Sequence, residues 1–231
     1  MCGRYTLAVP DPARLRGRFG IAETVEVRRR FNVAPGDDVL AVTTDRDGAP
    51  RGELLGWGLV PSWAETPVTG LKMINARVET VSRRPAFRLP FERFRCLIIA
   101  DGFYEWAASP GRPKQAYHIT KAGGEPFAFA GLWSVWKGGG EEQLRTCTIL
   151  TRPANDAVAP LHDRMPVILE RQAESAWLDR QTDRGTLFDL LSGLTAEATE
   201  LRAVGPAVND ARYDGPDCLA PAGPELQQTL L

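Results

Sequence analysis

Arg95-Cys96-Leu97-Ile98-Ile99-Ala100-Asp101-Gly102-Phe103-Tyr104-Glu105-Trp106 reads as a buried strand, an Asp-Gly turn and an aromatic second strand. Strand-length runs rich in Val, Ile, Phe, Tyr, Trp or Thr recur on both sides of it, bounded by Gly and Pro. They lie at 4–7, 38–43, 52–60, 73–78, 115–120, 127–133, 144–151, 165–169 and 199–204. Helical signals are fewer. Asp11-Pro12 offers an N-cap and first position for a short helix with Leu15 and Phe19 on one face. Segments 153–159, 170–178 and 186–191 are the other helical candidates, the last preceded by Asp183. Many strands with few short helices, out of βαβ alternation, predict an α+β fold. The expected architecture is one domain over 1–231, with a central barrel-like, mostly antiparallel sheet and a few short flanking helices. The Pro- and Gly-rich tail from about residue 205 is expected to be irregular.

With 43% hydrophobic and 25% charged residues, the chain has the balance of a soluble globular protein. Cys2, Cys96, Cys147 and Cys218 lie far apart with no C-x-x-C pair, and there are two histidines. That pattern argues against a metal site and against a disulfide framework, and no cofactor is expected. No signal segment or run of ~18 apolar residues is present, so a reduced, cytoplasmic setting without membrane contact is expected. The formal net charge is −1, but residues 1–100 carry 16 basic against 11 acidic groups. Residues 101–231 carry 12 against 18. Nucleic-acid binding would therefore need a local basic face. Arginine supplies 24 of the 28 cations, which suits bidentate phosphate contacts and is equally compatible with compositional bias.

Cys2 follows Met1 directly. If Met1 is removed, one residue carries an α-amine and a thiol, with free pKa values of roughly 8 and 8.5. An aldehyde can then form a Schiff base with the amine and be captured by the thiol as a five-membered thiazolidine, which no internal cysteine can do. The alternative is a small buried residue starting a strand. In the run Met73–Thr80, alternation puts Asn75, Arg77 and Glu79 on one face, able to hold an oxygen and a phosphate or simply to meet solvent. Glu105 sits between Tyr104 and Trp106. It is either a desolvated carboxyl with a raised pKa or the partner of a neighbouring arginine. His162, in Leu161-His162-Asp163-Arg164-Met165-Pro166-Val167, suits proton transfer near pH 7, whereas His118 reads as a strand residue. Segments 31–36 and 57–63 read as surface-forming loops in which Pro35 and Trp63 can meet bases, with Trp57 a core residue.

In order, MCGRY, FNVAPGD, WGLVPSW, INARVET, RCLIIADGFYEW, FAGLW and LHDRMPVIL resemble the SOS response-associated peptidase (SRAP) family of abasic-site processing proteins. The match covers most of residues 1–170, thins beyond, and reappears weakly at Val208-Asn209. It departs at Val78 and Ser134. The resemblance implies covalent capture of abasic sites in single-stranded DNA by a monomer, through an N-terminal cysteine. On this implication Cys2 is the nucleophile and Asn75, Glu105 and His162 line its pocket. Arg4, Arg77 and Arg164 hold phosphates, while Pro35 and Trp63 touch bases. Autoproteolytic removal of Met1 and association with the nucleoid belong to the same expectation. Three alternatives stay open: a glutamine amidotransferase, a thiol peptidase using Cys2 and His162, and a non-covalent DNA reader in which Cys2 is structural.

Overall fold

The computed structural model describes residues 2–8, 11–22, 24–108, 113–138 and 143–223. In chain order its first half holds β1 (Tyr5–Leu7), α1 (Pro12–Phe19), β2 (Arg30–Val33), β3 (Asp38–Thr44), β4 (Pro50–Trp57), β5 (Asn75–Arg77), α2 (Pro85–Arg93) and β6 (Arg95–Ala100). The second half holds β7 (Gly102–Ala107), β8 (Gln115–Lys121), β9 (Phe127–Lys137), β10 (Gln143–Pro153), β11 (Arg164–Pro166), β12 (Ile168–Leu169), α3 (Glu174–Leu178), α4 (Arg184–Asp189) and β13 (Thr199–Ala203).

The α+β expectation holds. Strands β4, β3, β6, β9 and β10 pair in that order, and β10 returns to β4, closing a five-stranded barrel. A ring with an odd number of strands cannot be antiparallel throughout. The one parallel pair in this ring is β10 with β4, through Thr146–Gly56 and Cys147–Trp57. A second sheet runs β13-β8-β7-β1-β2, antiparallel in every pair. The Asp101 step from β6 to β7 carries the chain from one sheet to the other.

Alternation on the barrel strands separates two cores. One face, with Ala41, Leu55, Trp57, Ile98, Phe129 and Ile149, packs with Cys2, Tyr5, Phe103 and Ile119 of the second sheet. The opposite face, with Val42, Leu97, Ile99, Ala130 and Leu150, packs with Leu15, Phe87, Phe91, Trp177 and Leu187 of the helices. Each such fully buried side chain contributes on the order of 1.5–3 kcal/mol. Gly131 lets β6 and β9 close: a Cβ there would lie 2.7 Å from Cys96 Sγ and 2.8 Å from Ile98 Cδ1.

Several local expectations change. Segment 31–36 is not a loop throughout, because Arg30–Val33 pairs with β1 before the turn at Ala34–Asp37. Segment 153–159 forms turns instead of a helix: Asn155 caps Val158 and accepts from Ala159, and Pro160 has no N–H to continue. Helix α2 was not foreseen, because Pro90 interrupts its pattern. Pro85 nevertheless opens it at a first-turn position, and Ala86, Phe87, Pro90 and Phe91 form its buried stripe. The 165–169 run splits into β11 and β12, with Val167 donating to Leu150 O between them. Among the described residues the segment after Val204 has no long element, and it is packed by two short 3-10 turns at Pro206–Asn209 and Pro216–Leu219.

Candidate active site

Cys2 is fully buried in the core shared by the two sheets. Its carbonyl accepts a hydrogen bond of 2.8 Å from Asn75 Nδ2. Asn75 is placed by β5, which lies parallel to β10 with Asn75 opposite Ile149. The other amide atom, Asn75 Oδ1, is buried and accepts no hydrogen bond among the described residues. Burial pushes the Cys2 thiol pKa well up, and the Glu105 carboxylate pushes it the same way. The resting sulfur at neutral pH is therefore a thiol, not a thiolate.

Glu105 is buried and its pKa is raised, first by desolvation. The reason differs from the one its sequence neighbours suggest. Tyr104 and Trp106 project to the opposite face of β7, where Tyr104 belongs to a separate small core with Val208 and Cys218. Glu105 shares its face with Phe103 and Ala107, and that face looks into the core that holds Cys2. His162 is near enough to draw the Glu105 pKa partly back down. The His162 ring lies just before β11, with a side chain 31% exposed. Its Nδ1 faces the Arg164 backbone N–H and an Asp163 carboxylate oxygen, each at 2.9 Å. Cys2, Asn75, Glu105 and His162 thus converge from the N-terminus, β5, β7 and the β10–β11 connection.

A cleft opens beside Asn75, lined also by Trp63, Lys72, Met73, Arg84, Pro85 and Phe87. Trp63 is 63% exposed on this rim, whereas Trp57 is buried, with Nε1 donating to Ile74 O. Arg77 is exposed at the end of β5. Pro35 is half-buried in the turn after β2, whose Gly36 approaches Leu71. Lys72 and Arg84 were not singled out from sequence. The signal for Arg84 was the pair Arg83-Arg84 just before a helix-opening proline.

The other two arginines are already engaged. Arg164 is buried, with Nη1 and Nη2 on the Glu79 carboxylate at 2.5 and 3.0 Å and Nη2 on Thr151 O at 2.6 Å. Arg4 Nη1 donates to Asn32 Oδ1 and Val208 O, both at 2.9 Å. Asn32 in turn donates to the carbonyls of Asp210 and Tyr213, so Arg4 and Asn32 tie the C-terminal segment to β1 and β2. In the chain alone both guanidinium groups thus have protein acceptors. His118, as expected, is a buried strand residue. Its Nε2 lies 3.0 Å from Thr6 Oγ1, and burial lowers its pKa to about 4.

A closed five-stranded barrel whose flanking β5 supplies an asparagine, and a second sheet that supplies a cysteine and a desolvated glutamate to the same buried point, define the class. The chain belongs to the SOS response associated peptidase (SRAP) family, whose model matches residues 1–211. It is 38% identical over 223 residues to the abasic site processing protein YoqW of Bacillus subtilis, covering 95% of this chain and 99% of that one. Abasic site processing protein YedK of Escherichia coli is 29% identical over 194 residues, covering 83% and 84%. A crystal structure of a Bacteroides thetaiotaomicron protein superposes with a TM-score of 0.86 at 21% identity, covering 96% of this chain and all of that one.

Proposed function

We propose that this protein captures abasic sites in single-stranded DNA as a covalent thiazolidine on Cys2. The observation that carries the reading is the Asn75–Cys2 hydrogen bond beside a glutamate whose carboxyl is desolvated by the same core. The similarity to abasic site processing proteins supports the same substrate.

Removal of Met1 would free the α-amine. The abasic sugar opens to its aldehyde, with His162 moving the proton between the ring oxygen and solvent. The amine adds to C1′, and the resulting carbinolamine loses its hydroxyl as water to give an imine. A proton from Glu105 assists that departure, which its raised pKa favours. The Cys2 thiol then adds to the imine carbon: the S–C1′ bond forms, the C=N bond becomes single, and the thiol proton passes to Glu105 or to the nitrogen. Since the sulfur rests as a thiol, it needs a proton acceptor at this step, and the Glu105 carboxylate is the neighbour whose charge it senses. Amine first, sulfur second, is the order that these protonation states favour. Asn75 holds the Cys2 carbonyl and so orients the amine and thiol together. Arg77, Lys72 and Arg84 provide cations for the flanking phosphates.

Mixing the protein with an abasic single-stranded oligonucleotide and measuring intact mass tests this. The adduct should carry the protein mass less one methionine, plus the oligonucleotide, less one water. Reducing the sugar with borohydride beforehand should abolish it. Equal cross-linking of an undamaged strand, or an adduct that retains Met1, overturns the reading. Arg77→Ala should weaken binding and flatten the dependence of log affinity on log salt by about one contact's worth. Asn75→Ala should slow adduct formation roughly a hundredfold, the order expected when a reacting group is left misplaced, as followed by denaturing gel time courses.

A further inference from the structure

His162 Nδ1 has two neighbours of opposite kind. The Arg164 backbone N–H donates to it from 2.9 Å, and an Asp163 carboxylate oxygen, an acceptor, lies 2.9 Å away. One nitrogen cannot serve both in the same state. With a lone pair on Nδ1 the ring accepts from Arg164 and carries its proton on Nε2. With a proton on Nδ1 it presents that proton to Asp163 instead.

The backbone around the ring holds both neighbours in place. His162 N donates to Val158 O at 3.1 Å and Ala154 N donates to Asp163 O at 3.0 Å. Arg164 opens β11 opposite Pro153. The Arg164 guanidinium is committed to Glu79 and Thr151 O, which leaves the Asp163 carboxylate to the ring.

The two states differ in what Nε2 can do for a substrate. A neutral ring with its proton on Nε2 has no lone pair there, and losing that proton would leave an imidazolate. A neutral ring with its proton on Nδ1 offers Nε2 as a base, and the imidazolium offers it as an acid. Both working forms carry a proton on Nδ1, on the side of Asp163. An exposed ion pair contributes little by itself, and the Asp163 side chain is 81% exposed. Its leverage comes from the rival on the same nitrogen: without the carboxylate, the Arg164 N–H selects the idle tautomer.

We infer that Asp163 is a positioning residue that selects the working tautomer of His162 for opening the abasic sugar. The inference rests on the abasic-site reading above, and the two fail separately. In the opening step Nε2–H of the imidazolium protonates O4′ while the C1′–O4′ bond breaks. The C1′ hydroxyl becomes the aldehyde carbonyl and its proton passes to water, so the sugar gains and loses one proton. The ring is left neutral with its proton on Nδ1, facing Asp163, and takes the next proton from solvent directly on Nε2. Aspartate–histidine pairs in hydrolases fix the tautomer in the same way.

The test separates ring opening from capture. One strand carries an ordinary abasic site; a second carries an acyclic analogue that has the aldehyde but lacks the C4′ hydroxyl and cannot close. Asp163→Asn removes the charge at nearly constant size. On the abasic strand it should slow adduct formation roughly tenfold, the low end for a hydrogen bond to a charged group, because the carboxylate is exposed. On the acyclic strand that difference should disappear, since no ring remains to open. Ring-nitrogen NMR spectra of the two histidines give a second reading. The neutral His162 ring should shift its proton from Nδ1 towards Nε2 in the variant. His118 is the reference: Thr6 Oγ1 donates to Asp101, so His118 donates to Thr6 from Nε2, and burial keeps it neutral. An unchanged rate on the abasic strand, an equal loss on both strands, or an unmoved His162 tautomer overturns the role of Asp163. Failure of the wild-type protein to form an adduct with either strand would instead overturn the reading on which the inference rests.

Discussion

Cys2→Ala should abolish the stable DNA adduct while leaving reversible strand binding within a few fold of wild type. No other residue offers an amine and a thiol on adjacent carbons, and the phosphate contacts lie elsewhere. Cys2→Ser separates the two halves of the chemistry. It keeps the amine and loses the sulfur, so the reaction should stop at the imine. A product should then survive denaturation only when borohydride is present during the reaction. Electrophoresis with and without the reductant reads all three proteins. A borohydride-independent adduct in Cys2→Ser would mean that the sulfur is not the closing nucleophile. Normal binding with no adduct from the wild-type protein would favour the non-covalent reader.

Glu105→Gln should lose activity and gain stability, and the gain should depend on pH. Burial raises the folded-state pKa of Glu105 above its unfolded value, so the folded chain binds the extra proton between the two. Stability attributable to this group therefore falls as pH rises from the ordinary carboxylate range through the raised pKa. Above that window the folded protein carries the full cost of a buried carboxylate. Glutamine does not titrate. The thermal midpoint of Glu105→Gln should match wild type near pH 4 and exceed it above the window. The expected excess is on the order of 2–4 °C, the shift that about 1 kcal/mol gives in a chain of this size. Adduct formation and its reversal should both slow, because the proton acceptor for the thiol and the donor for departing water are the same group. A variant that is faster, or no more stable at neutral pH than at pH 4, would remove Glu105 from this role. The trade of stability for chemistry is the usual signature of a working site.

The ordered motifs picked out the candidate site residues one by one, and the physical basis for each was uneven. Trp63 on a rim and Trp57 in the core were legible from segment 57–63, although Trp57 itself is the last residue of β4. Glu105 was legible as a desolvated carboxyl, but its neighbours in sequence were the wrong cause: strand alternation turns Tyr104 and Trp106 away, and Phe103 and Ala107 share its face. Lys72 and Arg84 escaped notice because an exposed cation in a loop or before a helix has no periodicity to betray a cleft. The occupation of Arg164 by Glu79 and of Arg4 by Asn32 and Val208 was invisible too. Those partners lie 85, 28 and 204 residues away along the chain.

Local chemistry and hydrophobic period, which act over a few residues, determined from the sequence alone the α+β class, most strands and the α1 cap at Asp11. Closure of the barrel through the parallel β10–β4 pair was decided only in three dimensions, as were the convergence of Cys2, Asn75, Glu105 and His162 and the commitment of two arginines to protein acceptors. Those features depend on which distant strands become neighbours, and pairing across the chain is set by the packing of both faces of each strand together.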